Sequence, residues 1–126
     1  MSKARVLYIE DNHDNMILVK RVLEIEGYEV ISAHTGAEGL AKAIADPPDI
    51  IITDINLPDI DGYEITNNLK NEKVTAHIPI VAITANVMQK DRKNVFEAGC
   101  DGYISKPINV DELPDQIENF LKGTSR

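Results

Sequence analysis

Glu10 and Asp11 follow directly on the apolar run Val6-Leu7-Tyr8-Ile9, and Asp54 closes Ile50-Ile51-Ile52-Thr53. Thr84 ends Ile80-Val81-Ala82-Ile83, and Lys106 follows Tyr103-Ile104-Ser105. If these runs are neighbouring parallel strands, three carboxylates, one hydroxyl and one ammonium meet at one edge of a sheet. Carboxylates crowded in that way repel one another unless a cation sits among them. Such residue types at strand ends point to chemistry rather than to packing.

The elements that must position these groups alternate along the chain. Strands are expected near 4–9, 29–33, 49–53, 79–84 and 102–105, and helices near 14–26, 36–46, 62–71, 87–98 and 111–122. The strand runs are nearly continuous in Val and Ile, as in strands covered on both faces. Gly27, Pro47-Pro48, Pro58, Gly62, Pro79, Gly99 and Gly102 fall where loops are needed. Strands alternating with helices imply βαβ units and a parallel sheet, and right-handed crossovers reduce this to a doubly wound α/β fold. Ligands of such sheets bind outside the carboxyl ends of the strands. The second run ends in Ala33-His34-Thr35 and offers little chemistry, which fits an edge strand. The last helix poses a local conflict. A start capped by Asn109 would leave Pro114 inside the helix, so a cap at Asp111, with Pro114 in the first turn, is preferred.

The 126 residues fit one domain, 1–126, with a core over about 4–122. A net charge of -8 disfavours direct contact with nucleic acid or anionic membranes, and an aromatic content of 5% without Trp offers no stacking platform. Cys100 is the only cysteine, which excludes an internal disulfide and suits a reducing compartment. No apolar segment is long enough to span a membrane, and Glu10-Asp11 interrupts any signal-peptide pattern, so a cytoplasmic protein is expected. His13, His34 and His77 show no metal-ligand spacing and are expected at the surface or in loops. Cys100 is expected to be a small packing residue.

The segments Glu10-Asp11-Asn12, Asp54-x-x-Leu57-Pro58-x-x-x-Gly62, Thr84-Ala85 and Lys106-Pro107 together resemble the receiver domain of bacterial two-component response regulators, over essentially the whole chain. Glu10-Asp11-Asn12, Ile78-Pro79 and Thr84-Ala85 are also similar to the single-domain cell-cycle and polarity receivers. The resemblance implies a flavodoxin-like (βα)5 fold with five parallel strands in the order 2-1-3-4-5. It further implies that Asp54 accepts a phosphoryl group from a partner phosphohistidine. Mg²⁺ would be bound by Asp11, Asp54 and the backbone carbonyl of Asn56, with Glu10 acting through water. Lys106 and the Thr84 hydroxyl would each meet a phosphoryl oxygen. Thr84, Tyr103 and a cis Lys106-Pro107 bond would form the switch. Read by themselves, Asp54 and Asp11 also suit loop or cap acids, Glu10 a solvated acid, Thr84 a plain strand residue, Lys106 a surface lysine and Tyr103 a half-buried strand tyrosine.

Partner surfaces are read from the first helix. Met16, Val19 and Leu23 share one face, and Ile17, Leu18, Val22 and Ile25 widen it beyond what one buried stripe needs. The resemblance implies that a histidine kinase or histidine phosphotransferase docks there, with Asn15, Leu18, Val22 and Ile108 in contact. The same breadth also suits a wide stripe packed inside the domain. Gln89, Lys90, Arg92 and Lys93 form either an output patch or a solvated helix face. Four other readings compete with a free-standing receiver: a receiver cut from a hybrid kinase or multidomain regulator, a Mg²⁺-dependent small-molecule phosphohydrolase, a flavin or nucleotide binder, and a receiver reduced to an interaction domain. Asp54 is followed by Ile-Asn rather than by the second aspartate of the common aspartate-nucleophile phosphatases. Glu10-Asp11-Asn12-His13-Asp14 would repel a bound phosphate, and the full set of site residues argues against a silent module.

Overall fold

The computed structural model describes residues 3–85 and 99–123. The helix expected over 87–98, with Gln89, Lys90, Arg92 and Lys93, lies outside the described residues. The chain runs β1 (Arg5–Ile9), α1 (His13–Ile25), β2 (Glu29–Ala33), α2 (Gly36–Ala45), β3 (Ile50–Asp54), α3 (Gly62–Lys70), β4 (Ile80–Thr84), β5 (Gly102–Ser105) and α4 (Leu113–Leu121). All neighbouring strands are parallel, in the order β2-β1-β3-β4-β5. Both the fold class and the strand order agree with the expectation, and β2 lies at the edge.

The Ile- and Val-rich runs are explained by the two layers that cover the sheet. Alternate residues point to opposite faces of a strand. Val6, Tyr8, Ile50, Ile52, Val81, Ile83 and Ile104 pack against α1, through Met16, Val19 and Leu23, and against α4, through Leu113, Ile117 and Phe120. Leu7, Ile9, Ile51, Ile80 and Ala82 pack on the other side with Ala43 of α2 and with Ile65 and Leu69 of α3. Each fully buried Ile or Leu contributes roughly 1.5–3 kcal/mol, so a strand apolar on both faces is worth more here than an alternating one.

Short polar caps turn the chain from strand end to helix start. Asn12, Thr35 and Asp61 are N-caps whose side chains accept from the backbone N–H groups of Asn15, Glu38 and Glu64. A cap of this kind is worth about 1 kcal/mol. The last helix corrects the sequence reading: it starts at Leu113, and its N-cap is Glu112 without a side-chain bond, not Asp111. Asn109 is the cause. Its Oδ1 accepts from Asp111 N at 3.0 Å, and its carbonyl accepts from the N–H groups of Glu112 and Leu113. These bonds form a separate turn that delays the helix, and Pro114 falls in its first turn. The other described boundaries agree with expectation or shift by one residue. The most consequential is at β3, where Asp54 is the last strand residue rather than the first beyond it.

Gly62 begins α3 where the chain returns over the end of β3. Its N–H donates to the Ile55 carbonyl at 2.9 Å, and a Cβ there would lie 2.8 Å from both the Asp54 carbonyl oxygen and Ile55 Cα. Backbone atoms cannot give way as a flexible side chain can. Gly→Ala in an ordinary helix stabilises by about 1 kcal/mol. Here the sign reverses: Gly62→Ala is expected to destabilise by about 1–3 kcal/mol in chemical denaturation, because of overpacking beside Asp54.

Candidate functional site

Strand register assembles the site. Ile9 pairs with Thr53, so Glu10 leaves β1 beside Asp54 at the end of β3. Asp54 pairs with Ile83, and Thr84 pairs with Ser105, which brings the ends of β4 and β5 to the same level. The Lys106 N–H donates to the Thr84 carbonyl at 2.9 Å and holds the chain beyond β5 against the end of β4. The Lys106-Pro107 peptide bond is cis, as expected.

Three carboxylates converge at this edge. Oxygens of Glu10, Asp11 and Asp54 lie within 4.8 Å of one another. Asp11 is exposed, whereas Glu10 is 0% and Asp54 2% exposed. Each oxygen of Asp54 is bonded: Oδ1 accepts from the Asn56 backbone N–H at 2.9 Å, and Oδ2 accepts from Lys106 Nζ at 2.6 Å. Lys106 Nζ also lies 4.0 Å from Glu10 Oε1. Burial opposes the Lys106 charge, but Asp54 first, then Glu10 and Asp11, outweigh it, and the ammonium's pKa is raised. One ammonium among three carboxylates leaves this cluster short of positive charge. An all-oxygen donor set with that deficit fits a small, hard divalent cation.

Tyr8 takes part in a way that sequence reasoning missed. Its hydroxyl donates to Glu10 Oε1 at 2.8 Å, and the Asn12 backbone N–H donates to Glu10 Oε2 at 3.3 Å. Burial pushes the Glu10 carboxyl up, and Asp54 pushes it further; the Tyr8 and Asn12 donors oppose both. Burial also pushes the Tyr8 phenol up, and the Glu10 charge adds to it. The missed signal is the two-residue spacing. Tyr8 and Glu10 fall on one face of the strand direction, where a tyrosine tip can reach the next side chain.

Thr84 is 5% exposed at the end of β4, and Tyr103 is half-buried against the layer that contains α2 and α3. Ile17, Leu18 and Ile25 of α1 are 43%, 46% and 75% exposed, so the broad apolar face is not absorbed by this domain's interior. Asn15, Leu18, Lys106, Pro107 and Ile108 line a groove of about 450 Å³ beside the site. Val22 lies apart from it, along a second groove with Ile25, Val110 and Pro114. His13, His34 and His77 are exposed, and Cys100 is buried with its Sγ 3.3 Å from Thr66 Oγ1, as a packing residue would be.

Fold and site together define a doubly wound α/β protein with an acidic, cation-seeking cluster at the carboxyl ends of its strands. The family model of the response regulator receiver domain matches residues 6–118, and the chain belongs to that family. It is 40% identical over 121 residues to the polar-differentiation response regulator DivK of Brucella ovis, covering 96% of this chain and 98% of that protein. The chemotaxis response regulator CheY4 of Vibrio cholerae superposes with a TM-score of 0.88 at 29% identity, over 92% of this chain and 97% of that one. A response regulator of Chloroflexus aurantiacus, described as putative, gives 0.89 at 32% identity, over 94% and 98%.

Tyr8→Phe removes a donor from a buried carboxylate. The variant is expected to lose roughly 1.5–3 kcal/mol in metal-free buffer, measured by urea denaturation, and to push the Glu10 pKa further up.

Proposed function

We propose that this chain accepts a phosphoryl group on Asp54 from a phosphohistidine of a histidine kinase or histidine phosphotransferase, and that phosphorylation changes what the chain binds. The carrying observation is the buried Asp54 carboxylate, bonded to Lys106 and within 4.8 Å of Glu10 and Asp11. An Asp54 oxygen forms the new P–O bond as the P–N bond of the donor breaks; the imidazole leaves with that electron pair and takes a proton. Glu10, Asp11, Asp54 and the backbone carbonyl of Asn56 would hold Mg²⁺, which supplies charge against the phosphoryl oxygens. Glu10, held at both oxygens by Tyr8 and Asn12, is placed to act through water. Lys106 moves its ammonium from Asp54 Oδ2 to a phosphoryl oxygen, keeping one compact charge at the reacting edge. The Thr84 hydroxyl donates to another. Hydrolysis by water then returns the Asp54 carboxylate and inorganic phosphate. The work of the site is positioning and charge neutralisation.

Thr84, Tyr103 and Pro107 form the switch in this reading. The half-buried Tyr103 has an apolar body and a polar tip, and suits two positions. Asn15, Leu18, Val22 and Ile108 contact the phosphodonor, supported by the exposure of Leu18 and by the groove that joins Asn15 and Leu18 to Lys106 and Ile108. The likeness to a polar-differentiation regulator favours a role in cell-cycle or polarity control. Such a role places the chain in the cytoplasm, with a protein as its downstream target. The described helices include none long and apolar enough to cross a membrane.

Mass spectrometry after incubation with Mg²⁺ and acetyl phosphate is expected to find one added phosphoryl group in the wild type and none in Asp54→Asn. Labelling of Asp54→Asn at the wild-type rate would overturn the assignment. Asp11→Ala is expected to weaken Mg²⁺ affinity at least tenfold in calorimetry, as one of few charged ligands is lost. Leu18→Asp is expected to slow transfer from a phosphohistidine partner while leaving labelling by acetyl phosphate unchanged.

A further inference from the structure

The segment after Asp54 is tied to a helix from elsewhere in the chain. Asp59 Oδ1 accepts from the Gly36 backbone N–H and Asp59 Oδ2 from that of Ala37, both at 2.9 Å. These are the first two N–H groups of α2, which have no partner within the helix. The third, from Glu38, donates to Thr35 Oγ1 at 3.1 Å. Two of the three bonds at this helix end therefore come from one carboxylate 22 and 23 residues away. The carboxylate also meets the positive end of the helix dipole. The donors hold its pKa below the ordinary carboxylate value, Ala37 foremost and then Gly36.

The approach is close and specific. A Cβ on Gly36 would lie 3.0 Å from Ile60 Cβ and 3.3 Å from Asp59 Oδ1, so the helix start must be bare for the loop to sit there. Leu57 is buried in the core layer shared by α2 and α3. Only Leu57 and Pro58 separate Asp59 from Asn56, and the proline ring fixes one backbone torsion of that link. The Asn56 N–H in turn donates to Asp54 Oδ1 at 2.9 Å, so the clamped segment is two residues from the contact with the Asp54 carboxylate.

We infer that Asp59 is a positioning residue. By clamping the loop after β3 onto the N-terminus of α2, it sets where the Asn56 backbone lies relative to the Asp54 carboxylate. The inference rests on the reading of Asp54 as phosphoacceptor and of the Asn56 carbonyl as a Mg²⁺ ligand. It adds a residue that touches neither the cation nor the phosphoryl group, and it couples α2 to the site.

The test compares Asp59→Ala, Asp59→Asn and Thr35→Ala with the wild type. Thr35→Ala weakens the same helix end without touching the loop, so it controls for a loss of helix capping alone. In metal-free protein, hydrogen exchange of the amides of residues 55–60 is expected to quicken in Asp59→Ala and not in Thr35→Ala. Calorimetric Mg²⁺ affinity is expected to fall roughly tenfold in Asp59→Ala, the usual scale for loss of a group that orients a ligand. Asp59→Asn keeps one acceptor oxygen and should fall between, and it carries the test if Asp59→Ala does not fold. Thr35→Ala should lose thermal stability yet keep wild-type Mg²⁺ affinity. An Asp59→Ala affinity within about twofold of wild type, or an equal loss in Thr35→Ala, would reduce Asp59 to a plain helix cap. A wild-type protein that gains no phosphoryl group would overturn the reading of Asp54, whereas the exchange and affinity comparisons would still decide Asp59.

Discussion

Two carboxylates, Glu10 and Asp54, are buried side by side at the end of the sheet, and most of the site's chemistry follows from what must be done about their charge. Removing an ionised group from water costs several kcal/mol unless partners replace the lost solvation. Here the partners are specific. Asp54 has Lys106 on one oxygen and the Asn56 N–H on the other; Glu10 has Tyr8 on one and Asn12 on the other. Even so, burial and the neighbouring carboxylate keep the Glu10 pKa raised. A cluster in this condition gains from any added positive charge, which is the physical reason it suits a divalent cation.

The surrounding fold makes the crowding tolerable. The sheet is covered on both faces, so its strands are rigid and buried, and their ends keep their register. Apolar burial along β1, β3 and β4 offsets the cost of holding two buried carboxylates at one edge. Gly62 lets α3 start directly over the Asp54 carbonyl, and Asp59 fastens the intervening loop to α2. The site therefore stands on the ends of four strands, β1, β3, β4 and β5, and on two helix starts. The exposed apolar face of α1 lies next to Lys106 and Pro107. The groove they line therefore opens at the same sheet edge as the Asp54–Lys106 pair.

Much of this was legible in the sequence. The alternation of apolar runs with helix-period segments determined the α/β class, because strands covered on both faces cannot afford polar positions. The strand-end residues Glu10, Asp11 and Asp54 marked the edge where the carboxylates converge, and the motifs around them marked the family. Met16, Val19 and Leu23 were readable as the buried face of α1 from their spacing alone.

What the tertiary structure decided is which groups touch. Sequence spacing told neither that Asp54 and Lys106 pair at 2.6 Å nor that Glu10 is wholly buried, since both depend on register between strands far apart in the chain. The start of α4 was misplaced because Asn109 spends its bonds on a turn of its own, a competition between two polar cap residues that propensity does not rank. Tyr8 looked like one more apolar strand residue until its hydroxyl was seen on Glu10. Asp59 drew no attention in the sequence, and its bonds to the start of α2 arise only from chain segments brought together by folding. The sequence determined the inventory of charges and the strands that carry them; the three-dimensional packing decided their partners, because a buried charge is governed by its nearest neighbours in space and not along the chain.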